Sequence, residues 1–260
     1  MSEADREQQL LEKRLEDLAE KTYRQNVYAF TGFLSMADMS VFHEVKSRFN
    51  HVGYSVFGEE FGCERQMIRF GTEQHLGYTE PFPISLLMLS PLMQKFADKL
   101  GHRDFLGAIM NLGIERSTIG DIFIKDNVGY VFCLDSIAEY LIQNLDKIKH
   151  TNIKIQRISM EEAEKFTKPE LVSSSVTAAS QRIDGIVSKL YNLSRTQSIE
   201  LFREGRVFVN GRLCENNSCF LKEDDVITVR GFGKFIYQGV QRETKKGKLS
   251  IEVLQYGQQS

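Results

Sequence analysis

Arg182, Lys189, Arg195, Arg203, Arg206 and Arg212 stand beside the apolar positions of their stretch, not within them, so their charged heads are expected to face solvent. Guanidinium groups on a rigid support suit phosphate, because arginine donates paired hydrogen bonds to oxyanions. Asn210 and the backbone of the turn it occupies add neutral donors. The chemistry is that of gripping a nucleic-acid backbone, with no bond made or broken. Any one of these cations could equally belong to an ordinary solvated face. Their coincidence with a helix pair, a glycine stop and a V-N-G turn in one order favours a backbone clamp.

The elements that must hold them are legible in the spacing. Ile183, Ile186, Val187 and Leu190 recur as the stripe of a short amphipathic helix. Ser194 followed by Gln197 has capping-box spacing, which starts a second helix carrying Ile199, Leu201 and Phe202 and ending at Gly205. The period then changes to two at Val207 and Val209, and Asn210-Gly211 supplies the positive φ angles of a type I′ hairpin. Asp224-Asp225 predicts a further turn before the strand around Val226 to Val229.

R-I-D at 182–184, S-R at 194–195, GRVFVNG at 205–211 and LKEDDVITV at 221–229 resemble the S4 domain, an RNA-binding module. The chain as a whole, with such a module after a long stretch without a catalytic signature, is similar to the YlmH-type S4 proteins. That resemblance implies a non-catalytic, cytoplasmic RNA-binding factor that associates with the large ribosomal subunit through rRNA, with tRNA as a further candidate. It also implies a role in quality control of stalled nascent chains, and a monomer off the ribosome.

The expected fold class is α+β in three parts: a small N-terminal α+β domain (1–78), a ferredoxin- or RRM-like RNA-binding domain (79–168), and, after a linker (169–180), an S4 domain (181–260). The first begins with a charged helix whose Leu11, Leu15 and Leu18 form one seam, followed by a helix around 39–49 capped by Ser40 or Asp38. The second reads β-α-α-β-β-α-β, with helices expected at MQKFADKL, at 104–112 and from a Ser136/Glu139 cap. Within it the run GIERSTIGDIFI is most like the family, and Arg116, on a polar turn before a strand, is the first candidate for RNA contact. Lys95, Lys99 and Arg103 are expected on a helix face, and Tyr130 and Phe132 share a strand face that is either core or an RNA-stacking platform. KPELVSSSVTAAS, polar and short-chained, is the expected linker.

Net charge of the 260 residues is −2, which by itself does not favour nucleic acid. From Val176 onward, however, 13 Lys and Arg face 9 Asp and Glu, so basicity is concentrated in the suspected module, including the late run Arg242, Lys245, Lys246 and Lys248. The four cysteines, 63, 133, 214 and 219, lack paired metal spacing and are expected as free thiols. The N-terminus is charged where a secretory leader would be apolar, and no apolar run reaches the ~20 residues of a membrane span. No cofactor or metal is expected: His43-Glu44 does not complete a metal pair, and Gly231-x-Gly233 leads into a strand, not a helix. Asp184, in a triplet shared with pseudouridine synthases, is expected as a local salt-bridge or cap residue. Two other readings stay open, an RNA-modifying enzyme targeted by its S4 module and a division-associated scaffold using the Leu11, Leu15 and Leu18 seam.

Overall fold

A computed structural model describes residues 3–167, 171–245 and 247–257. The chain divides into two compact units, Met1–Lys168 and Pro169–Ser260, and is mixed α/β with several antiparallel sheets, as the α+β expectation requires.

The first unit opens with α1 (Glu3–Gln25), β1 (Ala29–Phe30) and α2 (Met36–Val45), followed by β2 (Tyr54–Phe57) and β3 (Met67–Phe70). These strands form a small antiparallel sheet in the order β1-β3-β2. Leu15 and Ala19 of α1 are buried with Phe42, Phe49 and Phe70, and Leu11 and Leu18 pack against the same cluster. The leucine seam is therefore occupied within its own unit, which removes the surface that the scaffold reading needed. Helix α2 begins earlier than the spacing suggested. Ser35 is its cap, accepting from the Asp38 amide, while the Asp38 carboxylate accepts from the Ser35 amide at 2.8 Å, so Asp38 completes the capping box.

After α3 (Glu73–Leu76), the unit continues with β4 (Ile84–Pro91), α4 (His102–Met110), β5 (Ile119–Lys125), β6 (Val128–Leu134), α5 (Asp135–Asn144), β7 (Lys147–Ile148), β8 (Thr151–Ile158) and α6 (Glu164–Thr167). The five strands form one antiparallel sheet in the order β5-β6-β4-β8-β7. Alternation sends Leu87, Leu89, Val131 and Cys133 to the face covered by Phe105, Ile109 and Leu141 of α4 and α5. Ile84, Leu86 and Phe132 go to the opposite face, where Phe33, Phe57 and Met67 from the N-terminal part close over them. Gly129 permits the first of these packings: a Cβ there would lie 2.5 Å from the Phe105 ring.

Two expected features of this sheet differ. MQKFADKL forms one tight turn at Gln94–Phe96 in place of a helix, because the following residues are drawn into loop contacts. The Asp98 carboxylate accepts from the His150 amide at 3.0 Å, the Asp98 amide donates to Thr151 at 2.8 Å, and Asn127 accepts from the Leu100 amide at 2.8 Å. Lys95 and Lys99 consequently do not share a helix face with Arg103, which lies on α4. Helix α5 starts at Asp135 with no side-chain cap, so Ser136 lies inside its first turn.

The second unit comprises β9 (Leu171–Ala178), α7 (Ile183–Leu190), α8 (Arg195–Arg203), β10 (Val207–Val209), β11 (Arg212–Leu213), β12 (Val226–Val229), β13 (Gly233–Glu243) and β14 (Leu249–Tyr256). Its antiparallel sheet has the order β11-β10-β12-β13-β14-β9. The segment read as a linker is largely strand: β9 pairs with β14 from Leu171↔Tyr256 to Ala178↔Leu249. Its serine-rich composition hid a period of two. Val176 and Ala178 enter the core, while Ser173 and Ser175 on the other face bond to Glu252 at 2.8 Å and Ser250 at 3.0 Å. A polar edge strand of this kind resists further pairing. Lys168, Pro169 and Glu170 of the expected linker, and Lys246 of the late basic run, lie outside the described residues.

Candidate nucleic-acid interface

Helices α7 and α8 bury Ile183, Ile186, Val187, Leu201 and Phe202 against the sheet, with Val207, Ile227 and Phe235 beneath them. The turn between them is fixed by hydrogen bonds. Ser194 and Gln197 form the expected capping box, and the Ser188 hydroxyl donates to the Leu193 carbonyl at 2.7 Å. A buried hydroxyl links the helices directly, Ser198 donating to the Asp184 carbonyl at 2.8 Å.

Beside this turn lies a groove of about 510 Å³ whose lining includes Arg182, Lys189 and Arg195, together with Ser180 and Ser194. Three of the expected cations thus meet around one concavity. Arg182 is aimed by a fork: its Nε donates to one Asp184 oxygen at 3.1 Å and its Nη2 to the other at 2.7 Å. Asp184 is 5% exposed, so a nearly buried carboxylate orients a guanidinium at the groove's edge and raises its pKa through that hydrogen bond. Asp184 is the local salt-bridge residue its position suggested. Lys189 and Arg195 are exposed, and neither is drawn into an ion pair among the described residues.

The remaining candidates do not line that groove. Arg203, about 12 Å farther along α8 at 1.5 Å per residue, is exposed and 3.5 Å from Glu200. Arg206 folds back: its Nε and Nη2 donate to the Arg230 carbonyl at 3.1 and 2.7 Å, its Nη1 meets Glu204 at 3.1 Å, and the guanidinium lies over Phe232. Asn210 is also engaged, accepting from the Val226 amide at 2.9 Å and donating to Asp225 at 2.8 Å, so its side chain joins β10 to β12. Arg212 is half-buried on β11, against the expectation of a fully solvated head. One exposed cation of this end was missed: Arg230, stacked over Phe208 at 4.3 Å. Its position at a strand end before G-F-G was the available signal.

In the first unit, Arg116 occupies the expected turn before β5 but does not project from it. Its Nη1 donates to the Ile119 carbonyl and, at 3.3 Å, to that of Gly120. Burial, with Arg65 adding to it and Asp121 opposing, lowers its pKa to about 10. Arg65, which composition did not distinguish, donates to the carbonyls of Phe33 at 2.7 Å, Ile119 at 3.1 Å and Arg116 at 3.3 Å. Arg65 thereby joins the N-terminal part to the turn before β5, while the bonds of Arg116 stay within that turn and strand. The sheet face bearing Tyr130 and Phe132 is closed: Phe132 is fully buried against Phe57 and Phe61, and Tyr130 stacks on Phe166 at 3.9 Å. The aromatic platform is core. A second groove, of about 460 Å³, lies on this unit beside Arg103, Lys147 and Lys149, where Lys149 pairs with Asp104 at 2.7 Å.

Comparison with known families matches residues 78–162, the span containing β4 to β8, to the family described as "Putative RNA-binding domain in YlmH". Over residues 78–162 the chain is similar to a YlmH-type domain. A curated relative, "Ribosome-associated protein quality control protein P2" of Bacillus subtilis (strain 168), is 26% identical over 160 residues. That match covers 60% of this chain and 62% of the relative, so it spans about three fifths of that protein's length. A solved structure, "Cell division protein ylmH from Streptococcus pneumoniae", is 20% identical with a TM-score of 0.49, covering 62% of this chain and 95% of that one. The YlmH-type match ends before β9, so the groove at Arg182, Lys189 and Arg195 lies outside it.

Proposed function

We propose that this chain is a non-catalytic RNA-binding protein of the ribosome, acting in quality control of stalled nascent chains from the cytoplasm. The observation that carries the reading is the groove beside the α7–α8 turn, where Arg182 is aimed by a buried carboxylate while Lys189 and Arg195 form no ion pair among the described residues. Such an arrangement suits phosphate on a folded RNA: charge at a concave surface, positioned by rigid helices, with serine hydroxyls at its lip. In this reading the second unit is an S4-type module, supported by its two capped helices followed by the V-N-G hairpin. The second half of the first unit is a ferredoxin-like domain, supported by its strand order, in which β4 lies between β6 and β8, α4 crosses over β6, and α5 crosses over β4 and β8 to reach β7. Its platform face being closed, this domain would reach RNA through loops and edges.

The partner in this proposal is large-subunit rRNA, with tRNA as a second contact, and the free protein is a monomer. The name of the Bacillus subtilis relative supports the ribosomal setting. Co-sedimentation with separated ribosomal subunits at low ionic strength tests it. Retention in the large-subunit fraction is expected, and its absence for the native protein overturns the reading.

A further inference from the structure

Cys214 and Cys219, five positions apart and without a metal-like pattern in the sequence, have their sulfurs 3.5 Å from one another. Both are half-buried thiols at the mouth of the loop between β11 and β12. We propose that this pair is a dithiol modification site, closed to an intramolecular disulfide by exchange with a small disulfide such as oxidised glutathione. A disulfide needs the sulfurs at about 2.05 Å, so closure requires an approach of roughly 1.5 Å, within the reach of side-chain rotation in a six-residue loop.

The exchange balances in two steps. One protein thiolate attacks the small disulfide, forming a mixed disulfide and releasing one thiolate. The second protein thiolate attacks the protein sulfur of that intermediate, closing the ring and releasing the other. Two protein thiols are oxidised, one small disulfide is reduced to two thiols, and the two protons lost by the cysteines pass to the released thiolates. Burial, then the neighbouring Cys219 thiol, push the Cys214 pKa up to about 12, so attack by Cys214 is slow at neutral pH and accelerates as pH rises.

The loop is joined to the helix pair. The Ile183 amide donates to the Cys219 carbonyl at 3.0 Å and the Asp184 amide to the Asn217 carbonyl at 3.2 Å, so this loop caps the start of α7. The Cys214 amide donates to the Val207 carbonyl at 2.9 Å on β10. A closed ring would therefore tie the hairpin to the first turn of α7, next to Arg182.

The test is to incubate the reduced full-length protein with oxidised glutathione at mildly alkaline pH, trap free thiols, and map peptides by mass. Expected is one intramolecular Cys214–Cys219 bridge, two hydrogens lighter, with buried Cys63 and Cys133 still free, and slower amide hydrogen exchange at Ile183 and Asp184. Cys214→Ser should leave a stable mixed disulfide on Cys219. Two persisting thiols in the native chain, a lasting mixed disulfide there, or only interchain bridges would overturn the proposal, and none of these readouts depends on RNA binding.

Discussion

Replacing Lys189 and Arg195 together by Gln removes two positive charges from the groove while keeping a polar, unbranched side chain of similar helix propensity. Both residues are exposed and outside the apolar stripe, so the stability change should stay within about 0.5 kcal/mol. If each neutralises one phosphate, the slope of log affinity against log salt should fall by about 0.7–0.9 per residue, or about 1.4–1.8 for the pair. Over a roughly fourfold change in salt, that makes the variant's loss of affinity smaller than the native protein's by about tenfold. Titrating fluorescent rRNA fragments, or large subunits, at several salt concentrations reads the slope directly. An affinity loss with unchanged slope would mean that the two cations act through protein contacts, and no loss at all would place the RNA contact elsewhere.

Three further outcomes follow from the packing. Gly211→Val should destabilise the second unit, because Asn210 and Gly211 hold φ of 50° and 77° at the hairpin turn and a β-branched residue resists that region; unchanged denaturant midpoints would refute the turn. Gly129→Ala should cost about 1–3 kcal/mol in chemical unfolding, since the new methyl would press on the Phe105 ring, and an unaltered midpoint would show that the ring yields freely. The His150 amide, then the Thr151 hydroxyl, hold the Asp98 carboxyl below its ordinary value of 3.8 against the opposing effect of burial. That stabilisation is present above 3.8 and is lost as pH falls through the lowered value, so Asp98→Asn should flatten the acid dependence of the thermal midpoint; an identical pH profile would contradict the linkage.

Local signals were read well where the chain satisfies its own backbone. The Ser194/Gln197 box and the Asn210-Gly211 turn each use neighbours within a few positions, so their geometry is written in adjacent residues. Segments that depend on distant partners were misread. Nothing near Met93 announces that Asp98 will be claimed by the loop at His150, and nothing in a run of serines announces that β14 will pair with it. The Tyr130/Phe132 face had the alternation of an exposed platform and of a core alike. Only the arrival of Phe57 and Phe61, from more than sixty positions upstream, decides between them.

The same distinction governs the cations. A position beside the apolar stripe fixes where a side chain leaves its helix or strand, not where a long, many-donor head comes to rest. Arg116 and Arg206 both turned to backbone carbonyls, because a guanidinium carries several donors that can meet more than one carbonyl beside a strand end. Lys189 and Arg195 also lack a helical ion-pair partner: no acidic residue stands three or four positions away from either one, whereas Arg203 has Glu200 at that distance. A cation without a helical partner, beside a capped helix start and facing a groove, keeps its charge available. Arg116 and Arg206 equally lack an acidic residue at that spacing; what separates Lys189 and Arg195 from them is a place on a helix, away from the carbonyls where strands begin and end.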